Sequence, residues 1–150
     1  PRQSNKTRVV AEAFDWVHSV DRLKIAQRLS DQRPAWLPPL NVCLQVNISG
    51  EASKSGLTPA EVPALAQAVA ALPRLKLRGL MAIPEPAADI AAQRLPHCAL
   101  HALLDALRAD GLALDTLSMG MSADLEAAIA EGATIVRVGT ALFGARAPAA

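Results

Sequence analysis

The stretch LSMGMSADLEAAIAEGATIVRVGTALFGAR, residues 117–146, decides how the rest of the chain is read. A short apolar strand is expected over 117–119, followed by Gly120-Met121-Ser122 as a loop. Ser122 can N-cap a helix over 123–131, with Asp124 in the first turn complementing the helix dipole. Gly132 suits the position just past the end of such a helix. Residues 134–138 then read as a β-branched strand interrupted by Arg137, and Gly139-Thr140 opens a last turn. Two turns, each carrying Gly and a hydroxyl residue, thus follow adjacent strands. Free backbone N–H groups, a positive helix end and a hydroxyl make an anion site, most often for phosphate. Singly, Ser122 could be only a cap and Gly139 only a turn; the pair favours phosphate.

Arg137 adds to this. A charge inside a strand costs free energy to bury unless it finds a partner. If Val136 and Val138 face covering helices, Ile135, Arg137 and Gly139 face the opposite side. The alternative is a strand-end Arg paired with a structural carboxylate.

Upstream, the same alternation recurs. A helix is expected from Asn5 or Thr7 to Phe14, a strand over 16–20, and a helix capped by Asp21 with Leu23, Ile25, Ala26 and Leu29 as its apolar positions. Residues 32–39 form a proline-rich connection. In the strand 41–49, Val42, Leu44, Val46 and Ile48 alternate with Asn41, Cys43, Gln45 and Asn47. If helices cover the apolar face, Gln45 and Asn47 line the other, where polar groups mark a ligand site or a hydrogen-bonded interior. The loop 49–56 is polar and built of small residues. Thr58 caps a helix over 59–72 with Pro59 in its first position. A strand over 76–83 ends at Pro84 and Pro86, and a long helix over 87–109 should be kinked or divided by Pro96 and ended by Gly111.

Five strands alternate with helices, as parallel βαβ units require. Two architectures fit: a small open doubly wound sheet, or five of the eight units of a (β/α)8 barrel. In such barrels the phosphate site is commonly built after the last two strands, where Ser122 and Gly139-Thr140 fall.

Composition bounds the rest. With 150 residues, 51% hydrophobic and 19% charged, the chain can fold as one domain with a real core. A net charge of +1 with scattered basic residues gives no sign of nucleic-acid binding. No apolar run has the length of a membrane span and no signal peptide is visible. Cys43 and Cys98 read as buried or semi-buried thiols of a reducing compartment, so a cytoplasmic location is expected. His97 and His101, four apart on one helix, could share a metal, but no carboxylate pattern supports that.

The chain resembles the pyridoxal phosphate homeostasis protein family. The stretches that carry the resemblance are QSNKT (3–7), SVDRLKIAQRL (19–29), NVCLQVNISGEASKSG (41–56), LRGLMAIP (77–84), LSMGMSADLEAAI (117–129) and VRVGTALFGAR (136–146). The resemblance implies an α/β fold of the (β/α)8 TIM-barrel type with about five of eight units here. The single domain, 1–150, would be the C-terminal part of a pyridoxal phosphate (PLP)-binding barrel. It implies that Ser122, Gly139 and Thr140 hold the PLP phosphate, that Arg137 faces the pyridine nitrogen, and that Met81 lies on the barrel wall beside the ring. Lys54 would stand near the mouth, or be a solvated loop lysine. The family's Schiff-base lysine sits on the first barrel strand. This sequence starts near the end of the third, so Lys6, Lys24, Lys54 and Lys76 match other positions and none is the expected anchor. The implied role is non-catalytic buffering or delivery of PLP, with PLP-dependent apoenzymes as possible recipients and a monomeric full-length protein. The alternative is a PLP-dependent amino-acid racemase of related barrel fold. Such racemases use a tyrosine from an added β-domain, and this sequence contains no Tyr. A third reading is a phosphate-binding barrel with another ligand.

Overall fold

In the computed structural model, residues 6–50 and 55–137 are described. Five strands, β1 (Trp16–Val20), β2 (Leu40–Gln45), β3 (Leu75–Met81), β4 (Thr116–Met121) and β5 (Ile135–Arg137), form one sheet in sequential order. All four pairings are parallel. Helices α1 (Thr7–Ala13), α2 (Leu23–Gln32), α3 (Val62–Ala70), α4 (Ile90–Ala109) and α5 (Leu125–Ala130) alternate with them. Sequential parallel strands joined by right-handed crossovers place every helix on one face. α1 packs on α2, α2 on α3, and α4 on α5, as that arrangement requires.

The core lies between helices and sheet. Val17 and Val42 share one register level, and Leu44, Leu80 and Leu117 another, all buried. They meet Ile25 and Leu29 of α2, Val62, Ala66 and Val69 of α3, and Leu100, Leu104 and Leu107 of α4 in one cluster. Each such side chain stabilises the fold by roughly 1.5–3 kcal/mol through burial. Cys43 and Met81 are buried but stand outside that cluster, because alternation turns them to the other face. That inner face corresponds to a barrel interior.

Several boundaries differ from the sequence expectation. β4 continues through Gly120 and Met121, and Ser122 does not cap the following helix. Ser122 begins a 3-10 turn, Ser122–Asp124, from which α5 continues for only six residues. The Met121 N–H instead donates to Asp124 Oδ1 at 2.8 Å, a bond that holds the turn from its other end. Asp21 does not cap α2, since its carboxylate pairs with Arg22 at 3.3 Å and Arg22 is the residue before the helix. β2 stops at Gln45; Val46 still donates to Met81 O at 2.8 Å but forms an isolated bridge with Leu57. Thr58 precedes a 3-10 turn, Pro59–Glu61, in which the Glu61 carboxylate accepts from the Thr58 N–H and hydroxyl.

α4 starts at Ile90, with Asp89 accepting the Ala92 N–H at 2.8 Å, and runs through Pro96 without division. α5 ends in a Schellman motif: Gly132 donates to Ile129 O at 3.1 Å and Ala133 to Ala128 O at 3.0 Å. Gly132 has φ +97°, a region that disfavours any residue with a Cβ. Cys43 is buried as expected. Cys98 is exposed, because it lies off the α4 stripe that faces the core. No helix among the described residues is long and apolar enough to cross a membrane.

Candidate functional site

The C-terminal ends of the strands gather most of the residues singled out above. Met81 ends β3, pairs in register with Gln45 of β2 and Ser118 of β4, and is 4% exposed. Ser118 in turn pairs with Ile135. Gln45, Asn47, Ser55 and Ile83 border a cavity of about 230 Å3 at this end. Ile83, Pro84, Gln93, Gly120, Met121 and Asp124 border a second of about 340 Å3, within the size range of small-ligand sites. Gly120 bends the strand here with φ +102°, and a Cβ on it would lie 2.5 Å from that of Ala128. The glycine therefore lets the end of β4 pass close against Ala128 of α5.

Arg137 ends the described part of β5, opposite Met121. It is half-buried, and its Nη2 has no solvent contact and no hydrogen-bond partner among the described residues. Burial pushes its pKa down, while the Asp124 carboxylate pushes it back up. Val136, its neighbour, lies toward Gly120 and Ala128 on the helix side, so the expected inward direction of Arg137 holds. Ser122 stands beside this strand end. Gly139, Thr140 and Lys54 lie outside the described residues. Of the other lysines, Lys6, Lys24 and Lys76 are exposed.

Two polar pairs were not anticipated. His18 Nδ1 of β1 and the Ser118 hydroxyl of β4 lie 2.8 Å apart across the inner face. Burial first, and then the Arg137 charge, lower the His18 pKa, which favours a neutral imidazole. The signal for this pair was its alternation with Val17 and with Leu117 and Met119. The second pair replaces the possible metal pair: His97 Nε2 donates to Asp124 Oδ2 at 2.8 Å, whereas His101 Nδ1 donates to Glu131 O at 2.7 Å. The two rings serve different partners, and no cluster of three possible metal ligands occurs among the described residues.

The opposite end of the inner face is closed. Arg78 donates to both Asp115 oxygens at 2.9 and 2.7 Å and to Asn41 Oδ1 at 3.1 Å, with its guanidinium 4.6 Å from the Trp16 ring centroid.

Comparison with known proteins agrees with this fold. The pyridoxal phosphate homeostasis protein of Pseudomonas aeruginosa is 73% identical over 146 residues, covering 97% of this chain and 62% of that protein. The Escherichia coli protein of the same name is 59% identical over the same share. The chain thus spans about three fifths of the length of the curated relatives it matches. PipY of Synechococcus elongatus, solved with PLP bound, aligns with TM-score 0.85 at 36% identity, covering 96% of this chain and 68% of PipY. An alanine racemase of Clostridium difficile aligns with TM-score 0.78 at 15% identity, a likeness of fold alone. Residues 3–147 match the alanine racemase N-terminal domain family, and the chain belongs to that family.

Proposed function

We propose that this chain binds pyridoxal 5′-phosphate at the C-terminal end of its sheet and serves PLP homeostasis, holding or handing on the cofactor without turning over a substrate. The observation that carries this reading is the buried Arg137 Nη2 with no partner among the described residues. A buried guanidinium donor costs free energy unless an acceptor meets it, and the pyridine nitrogen of PLP is an acceptor of the right kind. Met81 would pack against the ring. Ser122, with Gly139 and Thr140, would take the phosphate. Because α5 is short, the phosphate site rests on the turn at Ser122 more than on a helix dipole.

When bound, PLP supplies an aldehyde that reacts with amines and a ring that can accept electrons when its nitrogen is protonated. An arginine facing that nitrogen holds it unprotonated, which disfavours carbanion chemistry and supports a carrier over a racemase. The relatives named for PLP homeostasis and the PLP-bound PipY support the same choice. Titration with PLP, followed by absorbance and challenged with inorganic phosphate, tests it. Saturable binding that phosphate weakens is expected, with no racemisation of amino acids in the same samples. Absence of binding, or racemase turnover, would overturn it.

A further inference from the structure

Resting on the PLP reading, the geometry points to His97 and Asp124 as positioning residues that hold the phosphate-binding turn in shape from behind. His97 lies on the core stripe of α4 with Leu100, Leu104 and Leu107, a place where an apolar side chain is the rule. It is fully buried. Its Nδ1 has no hydrogen-bond partner among the described residues, so there the ring's polar contact is the Nε2–H bond to Asp124 Oδ2 at 2.8 Å. The other oxygen of that carboxylate accepts the Met121 N–H at 2.8 Å. One carboxylate thereby ties the residue before Ser122 to a helix of the core. Its negative charge close to a phosphate would be unfavourable if free to swing. The bonds to His97 and Met121 hold it away, leaving the backbone of the turn to the anion.

The test uses His97→Leu, which removes the donor, His97→Gln, which restores a donor near Nε2, and Asp124→Asn, which keeps the shape. Two quantities are read: affinity for PLP relative to pyridoxal, which lacks the phosphate, and hydrogen exchange of the Met121 amide in the ligand-free protein. H97L and D124N should weaken PLP about tenfold while leaving pyridoxal nearly unchanged, with H97Q restoring most of it. The Met121 amide should exchange about tenfold faster in H97L while the Leu117 amide of β4 stays protected. Equal losses for PLP and pyridoxal, or a Met121 amide unchanged in both H97L and D124N, would overturn the positioning role. Failure of the unaltered protein to bind PLP would overturn the underlying reading, and the exchange data separate the two failures.

Discussion

At the N-terminal end of the sheet, arginines are used up by the protein; at the C-terminal end, one is held in reserve. Arg33, 2% exposed, donates to Pro38 O at 2.9 Å, Ala11 O at 2.9 Å and Phe14 O at 2.6 Å, tying α1 to the proline-rich connection. Arg78 is held by Asp115, Asn41 and the Trp16 ring. Arg137 keeps a buried Nη2 without a partner among the described residues. The same residue type therefore closes one end and leaves the other ready for an acceptor that the described residues do not supply. The difference separates a scaffold from a site more sharply than cavity size does.

Substitution at each arginine sharpens that contrast. Arg33→Ala should cost the most stability, about 2–4 kcal/mol, because the buried carbonyl of Ala11 and the part-buried ones of Phe14 and Pro38 lose their donor. Denaturant unfolding measures it, and a loss below about 1 kcal/mol would break the contrast at its strongest point. Arg78→Ala should cost about 1–2 kcal/mol, discounted because Asp115 is more than half exposed. Hydrogen bonds from Arg78 and Thr116 hold the Asp115 pKa at about 2, below its usual 3.8. A depressed carboxylate contributes stability above its unfolded pKa, so this contribution should be lost between about pH 4 and pH 2, and the Arg78→Ala protein should lose less there.

Arg137→Ala should change stability by no more than about 0.5 kcal/mol, since it removes an unsatisfied buried donor, yet weaken PLP binding by at least about tenfold. Parallel unfolding and PLP titration separate the two effects; a large stability loss would make Arg137 structural like the others. The smallest effect concerns His18, whose folded pKa lies below 6.5. A depressed histidine costs stability when the pH falls below its unfolded value, so stability should decline as the pH drops through about 6.5. Arg137→Ala, by removing one cause of the depression, should make that decline shallower in a pH series of unfolding curves.

How far the sequence could be read follows from the same contrast. The parallel order of strands was legible because Val42, Leu44, Leu117 and Met119 alternate in place and helices separate the runs. The places of Met81 at the end of β3 and of Arg137 in β5 were legible through motif and through the cost of a charge in a strand. The boundary at Ser122 was not, since a Gly-Met-Ser turn fits a strand end or a cap equally well, and Asp124 offers a carboxylate that holds the Met121 N–H and lets the strand run on to Met121. His97 and Ser118 were missed because their partners lie 27 and 100 residues away, and short-range pattern carries no trace of such pairs. The signal that existed was local: a histidine on a leucine stripe, and a serine between two buried apolar residues.

The most direct test is a structure of the protein with PLP bound. The account predicts the pyridine nitrogen within about 3 Å of an Arg137 guanidinium nitrogen, with the phosphate at the Ser122 hydroxyl. A pyridine nitrogen facing water or another residue, with Arg137 turned onto a protein carboxylate, would contradict it.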